Sequence, residues 1–237
     1  MEINPNSLKN KTIHIILGGT FDPVHFGHLR IAQEMLNLFP QAKISLMPAA
    51  YPPHRPAPGA STEQRIEMLE LVLDQHPGLQ LDTRELKRTE PSYSVVTLRQ
   101  IREEVVDGSV IFLMGTDAFA KLDQWYQWQE LIQLTNILVV GRPSSELPDS
   151  GTVAEFFRRH QVDDLSELTE HPSGRVGYYE MPQLDISSTY IREQIKSGFS
   201  PRFLLPDVIL NYINQHELYQ EAHDSDLEKV NQCNPSN

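Results

Sequence analysis

Short apolar runs alternate along this chain with stretches whose apolar residues recur at helical spacing. Ile13-His14-Ile15-Ile16-Leu17 is a β-rich run that stops at Gly18-Gly19, and Phe26 to Phe39 then carries apolar residues on one helical face. The chain therefore opens with a strand, a glycine turn and a helix. Lys43 to Met47 predicts a second strand, followed by a proline-stiffened loop from Pro48 to Pro56. Ser61 and Gln64 have capping-box spacing and open a helix towards Leu73. Further on, Leu79 to Leu81 predicts a short strand, Ser94 to Val105 a helix, and Val110 to Met114 an apolar strand closed by Gly115. A helix around Trp125 to Leu134 leads to the strand Ile137 to Val140, which ends at Gly141-Arg142-Pro143. Residues 144–174 are polar and broken by Pro and Gly, with one helix near Val153 to His160, and read as an insertion or subdomain. Arg175 to Met181 predicts the last strand, and Ser187 to Lys196 and Pro206 to Gln215 two closing helices.

Apolar strands alternating with helices imply an α/β fold with a doubly wound parallel sheet, whose ligands lie beyond the carboxyl ends of the strands. The 237 residues suit one such domain over 13–220, with an N-terminal extension at 1–12 and a polar tail at 221–237 that is expected to fray. A net charge of -12 opposes binding to nucleic acid or anionic lipid, so a phosphate-bearing ligand needs local donors. No apolar run approaches the roughly 20 residues of a membrane span. The start Met1-Glu2-Ile3-Asn4-Pro5-Asn6 lacks the order of a secretory signal, and the cytoplasm is the expected location. The only cysteine, Cys233, excludes a disulfide framework or a cysteine-ligated metal within one chain. A homo-oligomer is compatible with all of this.

The segment Gly18-Gly19-Thr20-Phe21-Asp22-Pro23-Val24-His25-Phe26-Gly27-His28 leaves a strand and enters a helix. Glycines admit a ligand close to the backbone, and the amides and dipole of a helix start favour an anion. Two histidines three apart point the same way, where imidazoles can donate to phosphate oxygens and stabilise charge. The alternatives are a capping histidine beside a structural one, or a metal pair; zinc is disfavoured because no further ligand cluster is evident. A second candidate anion site is Ile186-Ser187-Ser188-Thr189-Tyr190-Ile191-Arg192, where hydroxyls sit at a helix start and Arg192 follows one turn later. The alternative there is an N-cap followed by a solvated arginine.

These residues resemble the HxGH signature of the nucleotidyltransferase superfamily, and Gly18 to Leu29 resembles the bacterial nicotinate-mononucleotide adenylyltransferases in particular, with a Rossmann-like fold. The resemblance runs from about Ile13 to Tyr219. It implies that His25 and His28 bind the ATP phosphates as catalytic residues, that Gly18, Gly19, Thr20 and Phe21 contact ATP, and that Gly19 and Thr20 also reach the mononucleotide. Ser187, Ser188, Thr189 and Arg192 match the family's ISSTxIR motif, which holds the ATP phosphates. Arg142 matches an arginine lying along adenine, and Asp117 an aspartate near ribose and phosphates; by itself Asp117 reads equally well as a helix cap. His54 and Arg55, Tyr93 and Ser94, and Trp125 and Tyr126 resemble the segments that surround nicotinate mononucleotide. The pyridine would stack on an aromatic face and its carboxylate would accept N–H bonds, which disfavours the amide analogue.

The implied reaction is in-line attack by the mononucleotide phosphate on the α-phosphorus of ATP, expelling pyrophosphate, with Mg2+ arriving on the ATP and no metal ligands of the protein's own. Sibling transferases acting on phosphopantetheine or making CDP-alcohols lack the acceptor segments. An aminoacyl-tRNA synthetase would carry a KMSKS-like segment and a basic surface, and a non-catalytic nucleotide sensor could afford to lose the histidines and Arg192.

Overall fold

The computed structural model describes residues 12–50, 58–88, 91–141, 146–182 and 184–220. Its elements follow the alternation of the sequence: β1 (Ile13–Gly19), α1 (Phe26–Leu38), β2 (Lys43–Pro48), α2 (Thr62–Leu73), β3 (Leu79–Leu81), α3 (Ser94–Glu104), β4 (Ser109–Gly115), the single turn α4 (Thr116–Phe119), α5 (Trp128–Leu134) and β5 (Asn136–Gly141). Then come α6 (Gly151–His160), the single turn α7 (Glu167–Glu170), β6 (Val176–Glu180), α8 (Ser188–Lys196) and α9 (Asp207–Gln215).

The strands form one parallel six-stranded sheet in the order β3-β2-β1-β4-β5-β6. The chain winds outward from β1 to β3, then returns to place β4 on the other side of β1. This reversal opens a crevice beyond the carboxyl ends of β1 and β4, where the backbones part. The segment after Gly18-Gly19 and the segment after Gly115 both enter it. The fold is thus the Rossmann-like α/β arrangement that the sequence implies.

Both faces of the sheet are covered, which is why the strands read as nearly continuous apolar runs. Ile15 and Leu17, Ile111 and Leu113, and Leu138 and Val140 face a layer that contains Met35 of α1, Met68 of α2 and Ile209 of α9. Ile16, Val110, Phe112, Ile137 and Val139 face the opposite layer with Leu98 of α3, Leu131 of α5 and Val153 of α6. The period of two thus sends alternate side chains to different helices.

Local chemistry sets the helix starts. The Ser61 hydroxyl accepts from the Gln64 amide at 3.2 Å and the Ser61 amide donates to Gln64 Oε1 at 2.8 Å, completing the predicted capping box of α2. One boundary differs from the sequence reading. A helix from Trp125 is interrupted, because Leu122–Gln124 forms a 3-10 turn and Gln127 lies in the left-handed region at φ 50°, so α5 begins only at Trp128. Hydrophobic spacing does not register such a backbone reversal, and its effect is to release Trp125 and Tyr126 into a loop. Residues 146–174 connect β5 to β6; beyond the predicted helix they contain α7, and Val153, Ala154 and Leu168 are buried against the sheet. No helix among the described residues is long and apolar enough to cross a membrane.

Candidate active site

The turn leaving β1 is buried in part. Phe21 takes φ 49° and is buried, and the peptide to Pro23 is preceded by a buried Asp22. His25 then occupies the N-cap position of α1 in extended conformation, with no side-chain capping bond. The capping alternative for this histidine is therefore not realised. His25 is 4% exposed, its ring stacks on that of His28 with centroids 3.7 Å apart, and Phe21 packs edge-on against His28 at 4.8 Å. Gly27 between them is required by space: a Cβ there would lie 2.9 Å from the His25 ring and 3.2 Å from the Ile186 carbonyl.

Ile186 introduces the second motif, whose helix start abuts the first. The Ser187 hydroxyl accepts from the Tyr190 amide at 3.1 Å as the N-cap of α8, and Ser188 donates to the Pro23 carbonyl at 3.0 Å. Arg192 donates to the Asp22 carbonyl at 2.7 Å and approaches Thr189 Oγ1 at 3.4 Å. Here the solvated-arginine alternative fails, because the guanidinium is tied across to the first turn. Two positive helix ends, two imidazoles and a guanidinium thus converge, a donor array suited to phosphate.

A cleft of about 1030 Å³ runs from this array across the carboxyl ends of the strands. Gly18, Gly19, Thr20, Phe21, His25, His28, Asp117, Ser187, Ser188, Thr189 and Arg192 line it, and so do Tyr93, Ser94, Trp125 and Tyr126. Asp117 lies inside the first turn of α4, whose N-cap is Gly115, so its reading as a helix cap does not hold. At the far end Tyr93, the N-cap of α3, meets Tyr126 with ring centroids 4.6 Å apart, and Trp125 packs edge-on to Phe112 at 6.3 Å. His54, Arg55 and Arg142 lie outside the described residues.

Sequence reasoning passed over three supports of this cleft. Arg65 is 1% exposed and donates to the carbonyls of Thr20 at 2.9 Å and Ala49 at 2.7 Å, joining the turn after β1 to the one after β2. A signal for it was present: Arg65, Met68, Leu69 and Val72 form the buried stripe of α2, and a cation on such a stripe needs buried acceptors. Glu85, also buried in the cleft wall, accepts from Thr97 at 2.6 Å and from Ser92, whose hydroxyl accepts from the Ala50 amide at 3.1 Å. Burial raises the Glu85 carboxyl above its ordinary range, and these hydrogen bonds only partly oppose that. Asp22, the third, accepts from the amides of Gly59 and Ala60 and from the hydroxyl of Tyr219, 197 positions away.

Residues 16–194 match the model of the cytidylyltransferase-like family. A protein of Hahella chejuensis named "Probable nicotinate-nucleotide adenylyltransferase" is 46% identical over 86% of this chain and 94% of its own length. A protein of the same name from Marinobacter nauticus is 43% identical over 87% of this chain and 96% of its own. The chain belongs to the nicotinate-nucleotide adenylyltransferase family. In fold it is similar to the Plasmodium falciparum nicotinic acid mononucleotide adenylyltransferase complexed with NaAD, with a TM-score of 0.69 at 16% identity over 89% of this chain and 98% of that one. In this chain β1 carries the histidine turn, and the segment after β6 brings Ser188 and Arg192 back beside it.

Proposed function

We propose that the protein is a nucleotidyltransferase of NAD biosynthesis that transfers AMP from ATP to nicotinic acid mononucleotide, giving nicotinic acid adenine dinucleotide and pyrophosphate. One observation carries the reading: the stacked histidines and the α8 start face each other across one end of a cleft whose other end is aromatic. His25 and His28 bind the ATP phosphates and stabilise the charge passing through the α-phosphate. Ser187, Ser188, Thr189 and Arg192 hold the remaining phosphate oxygens, Gly18 to Phe21 lie along the nucleotides, and Asp117 faces the ribose. The nucleophile is already an anionic phosphate, so positioning and neutralisation do the catalytic work and no general base is required.

The pyridine stacks at Trp125, and its carboxylate is read by amides near Tyr93, Ser94 and Tyr126. To the same reading belong His54 and Arg55 as residues binding this substrate and Arg142 as a residue binding ATP. A divalent metal accompanies ATP in this family; in our reading it is Mg2+, held mainly by phosphate oxygens. The donor set fits that division, since imidazoles, hydroxyls and a guanidinium suit phosphate oxygens. We place the reaction in the cytoplasm. Pyrophosphate release measured with ATP and a panel of acceptors tests the whole reading. Turnover is expected with nicotinic acid mononucleotide, weakly with its amide analogue, and with neither phosphopantetheine nor a phosphoalcohol; equal use of acid and amide would refute the carboxylate pocket.

A further inference from the structure

Asp22 lies at the join of three segments that are far apart in sequence. Its carboxylate accepts from the Gly59 amide at 2.8 Å and the Ala60 amide at 3.0 Å, just before α2, and from the Tyr219 hydroxyl at 2.8 Å, just after α9. The same carboxylate forms a long ion pair with Arg192 of α8 at 3.5 Å, and the shorter contact of that guanidinium is its donation to the Asp22 carbonyl at 2.7 Å. Two carboxylate oxygens offer about four acceptor sites, and three neutral donors occupy most of them. Asp22 is therefore largely satisfied by neutral donors, and its contact with the arginine is longer than any of these three.

Tyr219 is the unusual member. It adopts φ 64°, a left-handed backbone that a bulky residue takes at a cost, so surrounding contacts must impose it. Its ring packs so closely on Gly59 that a Cβ there would lie 3.1 Å from two ring carbons, and the same Cβ would sit 3.6 Å from Arg192 Cδ. Burial beside the Asp22 carboxylate pushes the phenol up, so the hydroxyl keeps its proton and always donates.

From this geometry we infer that Tyr219 is a positioning residue for ATP, which acts by satisfying Asp22 so that Arg192 stays available to the nucleotide phosphates. An anionic carboxylate and an anionic phosphate compete for one guanidinium, and each donor supplied to the carboxylate weakens its side of that competition. Without the hydroxyl, Asp22 draws Arg192 in and ATP loses a contact. The inference rests on the reading of the α8 cluster as the ATP clamp.

Tyr219→Phe in the full chain removes only the donor. Its apparent KM for ATP should rise by about fivefold, on the scale of one net hydrogen bond, while the acceptor KM and kcat change by less than about twofold. Adding Asp22→Asn to Tyr219→Phe removes the competing charge and should recover part of the ATP affinity, a response that a merely structural tyrosine would not show. Equal losses for both substrates, or an unchanged ATP KM in a folded Tyr219→Phe protein, would overturn the inference. If that variant does not fold, Gly59→Ala, which displaces the ring, should show the same split between substrates. Titration of a non-hydrolysable ATP analogue separates the two levels: wild type that fails to bind it refutes the ATP site itself, whereas wild type and Tyr219→Phe binding it equally refutes only the role of the tyrosine.

Discussion

At one end of the cleft His25 is 4% exposed and stacked on its partner at 3.7 Å; at the other Tyr126 is 52% exposed and meets Tyr93 at 4.6 Å. The histidine end is dense in donors, and two of them are tied to distant backbone in the turn after β1, Ser188 to Pro23 and Arg192 to Asp22. The other end is an aromatic wall, and near it lies the buried Glu85 with its two hydroxyl donors. Such a difference suits two tasks. Charge that develops during reaction is best met by groups already fixed and sheltered from water, whereas a flat ring can be bound on an open face by stacking.

Four variants sharpen that contrast. The largest effect is expected from His28→Ala, which should lower kcat by roughly a hundredfold or more while circular dichroism and the unfolding midpoint stay close to wild type, the scale of losing one preorganised donor. Near-normal turnover in a folded variant would remove His28 from the chemistry. Next, Arg192→Ala should raise the KM for ATP by about tenfold to a hundredfold, since a charged hydrogen bond is worth about 1.5–3 kcal/mol, and leave the acceptor KM nearly unchanged. An effect confined to the acceptor would show that the clamp serves the other nucleotide.

Trp125→Ala reverses the pattern. It should raise the KM for nicotinic acid mononucleotide by roughly fivefold to a hundredfold, the loss of one aromatic stack at about 1–3 kcal/mol, with ATP little affected and the preference for acid over amide retained. An unchanged acceptor KM would return the indole to a packing role against Phe112. The smallest effect concerns Glu85, whose carboxyl is raised by burial. A carboxyl raised on folding contributes its stability below the unfolded value, near 4.5, and loses it as pH climbs through the higher folded value. Glu85→Gln should therefore flatten the fall in unfolding temperature over that window, as read by scanning calorimetry at a series of pH values. Parallel curves for the two proteins would show that Glu85 ionises without a penalty.

Much of this was legible along the chain. Glycine closures and apolar runs located β1, β4 and β5, and the Ser61-Gln64 spacing located the start of α2. The two motifs brought together at the histidine end could be found separately because each is a contiguous strand-turn-helix or capped helix, and local chemistry is written in local sequence. The boundary of α5 was missed for the complementary reason: Gln127 adopts a left-handed conformation that neither spacing nor propensity announces. Arg65 went unread along the chain, and its burial and its bonds to Thr20 and Ala49 show that it serves two loops.

What the sequence by itself determined is the set of elements, the class of fold and the chemical character of each loop, since these depend on periodicity, turn residues and donor types within a few positions of one another. Tertiary structure alone decided that β4 returns beside β1, so that the loops after both strands share a crevice, and that α8 meets α1 end to end. It also decided that a tyrosine near the end of the domain reaches an aspartate in its first turn. The physical reason is that a hydrogen bond between residues 22 and 219 has no local signature: it exists because burying both faces of one sheet leaves those two segments nowhere else to lie.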